Sequence, residues 1–469
     1  MAIWRVAIWR VCIFFLIAVN VAFGQAKTYV ILWFDTEDYV DPISDDAALR
    51  IAKDLDELGV RATFKVVGEK ARTLERRQRQ DVIEALAKHC IGYHSNWHSI
   101  QPTPAVYEEH LGLLEGATEF ARRERGGFED VSRIFAVTPA CYGQPGSSWA
   151  PQSNVALRQM GVRVYLDAGN QVGLNDQPFW YGGLLYVYEM GPYQIRAELE
   201  PDVPPASRFQ KFDEAVRHFS QSGGGLISSY YHPTEFEHTE FWDAVNFAGG
   251  SVRDRKDWVM PKQRSREDAE RCFTILHDYV KHAKAVPGVQ FIAADDLLRI
   301  YANPIAPPVD RLTLARHFRE SINYLSTASG DLSAADILLE LLGLPVRYVD
   351  GPTTAGTTTY AEDTIPAFVF DGSVRDVASF IETNGRLPSE VFLGSQTLSL
   401  ADLTATLAEH LLSTGPIRVM HGKVAFEQYV ANDAKGSFSW PIHPKNFAPA
   451  TLLDIARLQA WTIKPARLR

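Results

Sequence analysis

Apolar runs alternate with amphipathic stretches between residues 27 and 302 of this 469-residue chain. The first run is TYVILWF, and DDAALRIAKDLDELG follows it with helical periodicity and ends at Gly59, a typical C-cap residue. VRATFKVVG is again strand-like, and the strand and helix patterns keep alternating as far as VQFIAADDLLRIY. Strands that alternate with helices predict an α/β fold, with a parallel sheet and βαβ crossovers in a barrel-like arrangement.

The pattern changes after residue 302. ANPIAPPVD contains three prolines and predicts a linker over residues 303–310. DLSAADILLELLG and TLSLADLTATLAEHL then share a common form, with Asp336 and Asp402 at equivalent positions. We predict a smaller, mainly helical C-terminal domain over residues 311–469 with a weak internal repeat. Chance similarity is the alternative, because Ser and Asp are common capping residues at helix starts.

The first 25 residues differ from the rest of the chain. Arg5 and Arg10 precede an uncharged apolar run, and Ala22 to Gly24 form a small-x-small pattern before Gln25. That order predicts a secretory signal peptide over residues 1–25. The run is also shorter than the ~20 residues that a membrane-spanning helix needs. We therefore expect a secreted, periplasmic or extracellular protein, with an uncleaved N-terminal membrane anchor as the alternative.

Composition narrows the classes of function. Apolar residues make up 46% of the chain and charged residues 22%, as in ordinary globular proteins. The formal net charge is −10 and no long Lys/Arg run occurs, so nucleic-acid binding has little electrostatic support. Nothing in the sequence implies a stable protein partner.

Three cysteines remain once the signal peptide is removed, namely Cys90, Cys141 and Cys272. They form no CxxC pair, so a zinc–thiolate site is not predicted. An exported protein can form a disulfide, and Cys90 with Cys141 is the candidate pair. Three buried free thiols are the alternative.

Acidic residues follow the first predicted strand directly. Asp35, Glu37 and Asp38 lie in WFDTEDYVD, and three carboxylates this close repel one another unless a cation or a shared proton compensates. A solvated acidic turn is the alternative. In parallel α/β barrels, catalytic residues gather at the carboxyl ends of the strands.

Histidines follow two further predicted strands. His94 and His98 lie four residues apart in GYHSNWHS, and in a helical turn that spacing lets both imidazoles reach one metal ion. A polar surface turn is the alternative. His232 follows a late apolar run in LISSYYHP, where a strand-end catalytic residue would lie.

The combination of these residues, in this order, resembles the polysaccharide deacetylase family, also called the NodB-homology or carbohydrate esterase 4 (CE4) family. RATFKVVGEKA is also similar to the second strand of that family. The resemblance covers roughly residues 28–302. It implies that residues 27–302 form a NodB-type distorted (β/α) barrel. It also implies metal-dependent removal of N-acetyl groups from an amino-sugar polysaccharide.

Matched residue by residue, Asp35 corresponds to the general base of the family and His232 to the general acid. His94 and His98 correspond to the metal-binding pair. The resemblance implies one divalent metal ion. With two His and one carboxylate, zinc is the first choice, and cobalt or nickel could substitute.

Three departures from the family pattern matter. The metal carboxylate is either Glu37 or Asp38, and the D-x-E spacing of some members favours Glu37. Val137 stands where the family has an Arg that orients the base. Asp167 in YLDAG falls near the carboxylate that supports the acid/base network, although its neighbours differ.

The loop VTPACYGQPGSSWAP is rich in Gly and Pro and contains aromatic residues, so it would line a substrate groove or form an ordinary loop. A backbone amide near Tyr142 is the candidate oxyanion donor. The residues assigned to substrate binding are Pro139, Tyr142, Trp149 and Tyr231.

The C-terminal segment FIETNGRLPSEVFLGSQTLSLADLTATLAEHL resembles the pseudomurein-binding repeat. Asn384, Arg386, Leu387 and Pro388 match its turn, and the apolar helix follows. The resemblance implies docking to a cell-wall polymer, and a plain helical accessory domain is the alternative.

The leading hypothesis is a secreted, metal-dependent hydrolase that removes N-acetyl groups from peptidoglycan or a related cell-wall polymer. One alternative is an amidohydrolase of small cyclic or ureido compounds with the same fold. The other is a catalytically weak wall-binding protein, which the missing Arg at Val137 favours.

Overall fold

The structure is a computed structural model that describes residues 26–200, 203–204, 207–302 and 309–469. The predicted signal peptide (1–25) and most of the predicted linker (303–308) lie outside the described residues. Among the helices of the described part, none is both long and apolar enough to cross a membrane.

A parallel sheet centred on the first strand forms the core of residues 26–302. The strands are β1 (Thr28–Thr36), β2 (Thr63–Val66), β3 (Cys90–Tyr93), β4 (Val164–Leu166), β5 (Phe179–Tyr181), β6 (Leu184–Val187), β7 (Gly225–Tyr231), β8 (Val289–Ile292) and β9 (Tyr301–Ala302). Strand β1 pairs in parallel with β7, with β8 and with β2, and β2 pairs in parallel with β3. The near-continuous apolar run of β1 follows from this position, since such a strand is covered on both faces.

Isolated bridges extend the sheet into a ring. Tyr142 forms parallel bridges with Tyr93 of β3 and Tyr165 of β4. Strand β4 pairs in parallel with β6, and Gln194 forms a bridge with Ser228 of β7. The strands thus follow one another round a barrel, with β5 added antiparallel to β6. The predicted α/β fold with a distorted barrel is confirmed.

Amphipathic helices cover the barrel. They are α1 (Ile43–Glu57), α2 (Gly68–Arg76), α3 (Gln80–Ala87), α4 (Pro104–Glu108), α5 (Leu113–Phe135), α6 (Ser153–Gln159), α7 (Gln210–Ser222), α8 (Pro233–Glu237), α9 (Trp242–Phe247), α10 (Arg266–Ala285) and α11 (Ala294–Ile300). In α1, Ala48, Ile51 and Leu55 are buried at the spacing of one helix face. The helix ends before Gly59, whose φ of 62° is the left-handed conformation expected after a helix.

Residues 311–412 contain the same succession of elements twice, a helix, a β-hairpin and a second helix. The first set is α12 (Arg311–Glu320), β10 (Leu325–Thr327), β11 (Gly330–Leu332) and α13 (Ala334–Leu342). The second set, after β12 (Thr364–Ile365), is α14 (Ala367–Asn384), β13 (Glu390–Leu393), β14 (Gln396–Ser399) and α15 (Leu400–Leu412). The hydroxyls of Ser333 and Ser399 cap α13 and α15, each accepting from the amide of Asp336 or Asp402 at 3.1 Å. The two similar stretches therefore share both capping chemistry and a preceding hairpin.

The last part of the chain returns to the barrel. Its elements are β15 (Ile417–Arg418), α16 (Ala434–Ser437), α17 (Ala450–Gln459), β16 (Lys464–Pro465) and β17 (Arg467–Leu468). Strand β16 pairs with β5 and β17 pairs with β9, both antiparallel. The ammonium of Lys464 lies 2.8 Å from the carboxylate of Asp336, which ties α13 to the same edge.

The predicted Cys90–Cys141 disulfide is wrong. Cys90, Cys141 and Cys272 are buried free thiols, as in the alternative interpretation. Cys90 and Cys141 lie in the apolar cluster on one side of the sheet, where they pack as small apolar side chains.

We expect Ser399→Ala to lower the free energy of unfolding by about 1 kcal/mol, because a half-buried helix start loses its capping acceptor. Ser413→Ala is the matched control, since Ser413 is exposed at the other end of α15 and should change stability by less than about 0.5 kcal/mol. Urea unfolding of the three proteins measures both values. Equal stability of Ser399→Ala and the parent would contradict the capping role.

Candidate metal centre and active-site pocket

Polar side chains converge where the strands of the barrel end. Asp35 is the next-to-last residue of β1 and Lys65 lies in β2. His94 follows β3 directly, Asp167 follows β4 and His232 follows β7. The strands are parallel, so these positions lie at one end of the barrel.

Three buried side chains direct one atom each at a common point. Oε2 of Glu37 lies 3.2 Å from Nε2 of His94 and 2.8 Å from Nε2 of His98. All three residues are at most 3% exposed.

The hydrogen bonds behind the two imidazoles determine their tautomers. Nδ1 of His94 lies 3.0 Å from the carbonyl oxygen of Gly143, which can only accept. Nδ1 of His98 lies 2.6 Å from the hydroxyl of Ser99, and that hydroxyl donates to Asp243 at 3.4 Å. Each Nδ1 therefore carries a hydrogen, and in the neutral imidazole each Nε2 is then an acceptor.

With both imidazoles neutral, Glu37, His94 and His98 present three acceptors to one another with no hydrogen between them. Nε2 of His98 is a buried atom without a hydrogen-bond partner. A bound cation, or a proton added to one imidazole, compensates such a set, and two imidazoles with a carboxylate are donors that suit zinc. The residues fit a divalent metal ion.

Of the two neighbouring carboxylates, only that of Glu37 faces the histidines. Trp242 donates its indole hydrogen to Oε1 of Glu37 at 3.0 Å, which leaves Oε2 turned toward the imidazoles. Asp38 instead accepts from the amide of Val40 at 2.8 Å and from the hydroxyl of Thr234 at 3.2 Å. Asp38 therefore closes the turn after β1, away from the metal-binding group.

The segment that carries the two histidines is not a helical turn, so the predicted geometry is wrong although the two side chains meet. Ser95 and His98 have φ values of 64° and 57°, which interrupts any helix. Glu124 of α5 supports the loop because its Oε2 accepts from the amide of Asn96 and the hydroxyl of Tyr93, both at 2.7 Å. Because Glu124 is distant in sequence, the local pattern around the two histidines does not predict this contact.

Lys65 joins the two other carboxylates of the site. Its ammonium lies 2.9 Å from Oδ1 of Asp35 and 2.7 Å from Oδ2 of Asp167, and its side chain is fully buried. Gly143 makes room for it, since a Cβ at Gly143 would lie 2.1 Å from the ammonium. Val137, at the position of the missing Arg, is 40% exposed after α5. Lys65 thus supplies from β2 the cation that was expected from the loop.

Burial and charge shift the ionisation of this group in opposite directions. Burial alone would lower the pKa of Lys65, but Asp167 and Asp35 raise its pKa overall. Burial raises the pKa of Asp167 to about 7, against the pull of Lys65. Removal of Lys65 would therefore leave two buried carboxyl groups without their shared cation.

His232 and Asp35 face each other across the site. Nε2 of His232 lies 3.6 Å from Oδ2 of Asp35, and Nδ1 lies 2.6 Å from Oε1 of Glu235. Arg196 pairs with the same Glu235. Burial works against the charged imidazolium, but Glu37 and Glu235 together raise the pKa of His232 to about 9. Both carboxylates thus favour the protonated imidazole of His232.

These groups open onto a cavity of about 490 Å³. Asp35, Glu37, His94, His98, Asp167 and His232 all line it. Tyr230, Phe241 and Trp440 supply its aromatic wall. Trp440 comes from the C-terminal part of the chain, and no local sequence pattern links it to the barrel.

The residues predicted to bind substrate lie elsewhere. Tyr142, Trp149 and Tyr231 are at most 1% exposed in the core of the barrel, and Pro139 is buried outside the cavity lining. The amide of Tyr142 donates to the carbonyl of Val164 at 3.0 Å, so it is not free to serve as the predicted oxyanion donor. Aromatic residues near a site motif fill a core as readily as a pocket.

No protein-family model and no curated protein match the chain. Several solved structures match it. A Mycobacterium smegmatis protein named as a polysaccharide deacetylase is 15% identical, covers 60% of this chain and 92% of its own, and has a TM-score of 0.38. The peptidoglycan deacetylase PdaC from Bacillus subtilis is 12% identical, with 59% and 92% covered and a TM-score of 0.29.

Proteins named as polysaccharide deacetylases are thus among the structures to which the chain is similar, in line with the resemblance predicted from the motifs. The PuuE allantoinase is another such structure, at 13% identity, with 59% of this chain and 90% of its own covered and a TM-score of 0.38. Because each TM-score is below 0.5, the activity has to be inferred from the geometry of the site.

Replacing Glu37 should abolish tight zinc binding, and replacing Asp38 should not. Loss of a hydrogen bond to a metal ligand typically lowers the affinity for the metal by roughly 10–100-fold. Loss of the ligand itself in Glu37→Gln should lower the affinity for zinc further. Asp38→Asn is the matched control, because Asp38 closes the turn without facing the histidines. Isothermal titration calorimetry with zinc measures the affinities of both variants. Weaker zinc binding in Asp38→Asn than in Glu37→Gln would contradict the assignment of Glu37 as the metal ligand.

Lys65→Met should lower the free energy of unfolding by about 3–5 kcal/mol, because it leaves buried carboxylates without their partner. Adding Asp167→Asn removes one of those carboxylates and should recover part of the loss. Chemical unfolding of the single and double variants tests this coupling. Purely additive effects of Lys65→Met and Asp167→Asn would show that the ion pairs do not interact.

Proposed function

We propose that this protein is a metal-dependent hydrolase that removes N-acetyl groups from an amino-sugar polysaccharide, such as peptidoglycan or a related cell-wall polymer. One observation carries the proposal. The three converging acceptors of Glu37, His94 and His98 share a cavity with Asp35 and His232, a carboxylate and a histidine that face each other 3.6 Å apart. This is the set that metal-assisted amide hydrolysis requires.

A divalent metal bound by Glu37, His94 and His98 would polarise the carbonyl of the scissile amide and lower the pKa of a water molecule. Zinc is the first choice, with cobalt or nickel as substitutes. In the proposed reaction, Asp35 takes the proton of the attacking water. His232 donates a proton to the leaving amine nitrogen.

The neighbours of these two groups support the assigned roles. Lys65 holds Asp35 in place, because its ammonium lies 2.9 Å from Oδ1 of that carboxylate. Glu235 accepts from Nδ1 of His232, which leaves Nε2–H directed toward Asp35 and the cavity. Asp167 acts on the base only through Lys65, as a positioning residue.

The charge of the cavity supports a neutral substrate. Carboxylates outnumber cationic side chains along the lining, where Arg196 is half-buried and already paired with Glu235. An anionic substrate would be repelled, while the amine product of deacetylation is cationic and neutralised there. This favours an acetylated sugar over a carboxylated ureido compound.

We further propose that the protein is exported and that its C-terminal region docks to the polymer. The proposal of export rests on the sequence of residues 1–25. Docking is supported by a cavity of about 350 Å³ beside the Asn384–Pro388 turn. Arg386 stacks 4.9 Å from the ring of Phe380, and Phe392 is 64% exposed at this cavity.

Acetate release from an N-acetylglucosamine oligomer should depend on both metal and base. Chelation should stop the reaction and added zinc should restore it. Asp35→Asn should lower kcat by roughly 10²–10⁴-fold, the usual contribution of a general base, with zinc content unchanged. If neither chelation nor Asp35→Asn alters the rate, the proposed mechanism is wrong.

A further inference from the structure

A segment from the C-terminal part of the chain forms one side of the active-site pocket. The backbone carbonyls of Pro441 and Ile442 accept from the amide of Gly249 and the side chain of Gln101, both at 2.7 Å. Ile442 is fully buried in an apolar cluster with Trp242, the residue that donates to Glu37. The segment is therefore bound to the loops that carry the site.

Trp440 directly precedes Pro441 in that segment and is held from two directions. Its amide donates to the hydroxyl of Ser147 at 3.0 Å, and its indole Nε1 donates to Oδ2 of Asp243 at 2.7 Å. The indole also lies against Gly146, where a Cβ would approach within 2.3 Å of the ring. Gly146 has a φ of 53°, a conformation that suits glycine.

The ring of Trp440 continues an aromatic row that begins at the proposed acid. The rings of His232 and Phe241 are 5.0 Å apart, and those of Phe241 and Trp440 are 5.4 Å apart, each pair perpendicular. Trp440 remains partly exposed and lines the cavity. A rigid, partly exposed aromatic face beside the reacting groups is a surface on which a ligand can stack.

We infer that Trp440 positions the substrate, and that its indole packs against the ring of a neutral N-acylated sugar whose acyl group reaches Asp35 and His232. This inference rests on the proposed deacetylase function. The apolar C–H face of a pyranose matches an aromatic wall, and the surrounding carboxylates disfavour an anionic sugar. A cavity of about 490 Å³ lies in the range of ordinary ligand pockets, so it can hold part of such a polymer beside Trp440.

Calorimetric binding of an N-acetylglucosamine trimer to the full chain tests the inference without turnover, in the presence of a chelator. Trp440→Ala should weaken the affinity by about tenfold, since the stacking surface is lost. Trp440→Phe keeps an aromatic face but loses the hydrogen bond to Asp243, so its affinity should stay within about threefold of the parent. Trp180→Phe, outside the cavity, is the matched control and should bind as the parent does.

Two further measurements guard against indirect effects. Zinc content should be unchanged in Trp440→Ala, because loss of zinc would mean that Trp440 acts through Asp243 and His98 instead. Gly146→Ala should displace the indole and weaken trimer binding without altering Trp440 itself. Three results would overturn the inference. They are an affinity of Trp440→Ala equal to that of the parent, equal losses of affinity in the Ala and Phe variants, and no binding of the trimer by the parent.

Acetate release separates this inference from the proposed function. If the parent binds the trimer through Trp440 but releases no acetate, the proposed reaction is wrong and the substrate contact stands. If Trp440→Ala releases acetate with the KM of the parent, the reaction stands and the contact is wrong. The expected result is a raised KM with kcat changed far less, because the ring lies beside the reacting groups rather than among them.

Discussion

Compensation of buried negative charge is the constraint on which the site depends. Parallel strands end at the same side of a barrel, and here they bring Asp35, Glu37 and Asp167 into one small volume. Carboxylates this close and this buried are unstable without cations. Lys65 serves two of them, and the group formed with His94 and His98 prepares a metal position for the third. The base and the metal position are thus arranged by one electrostatic requirement.

The same requirement separates the roles of neighbouring acidic residues. Glu37 and Asp38 are adjacent, yet the indole of Trp242 turns one toward the histidines while backbone amides capture the other. The side-chain partner, rather than the residue type, decides which carboxylate can hold a cation. The proposed chemistry therefore depends on residues that touch no substrate, Trp242 and Glu124 among them.

Much of the barrel and its edge could be predicted from sequence, because strand and helix periodicities are local and strand ends meet by topology. That logic predicted the positions of Asp35, His94, His98 and His232. Lys65 was missed although its position carries a signal: a charged residue within an apolar strand needs a buried partner. The choice of Tyr142 failed for the opposite reason, since nothing local separates an aromatic residue in the core from one in a pocket.

One wall of the pocket is synthesised after the residues that it encloses, because it comes from the C-terminal part of the chain. The barrel residues from Asp35 to His232 precede Trp440 in the chain, and the part of a chain that emerges first can begin to fold first. A nascent chain can therefore gather its histidines and carboxylates early while one side of the cavity is still missing. Strands β16 and β17 add their pairing to β5 and β9 later still. The finished pocket is thus a product of the complete chain, and a protein that stops before residue 440 has the ligands without the wall.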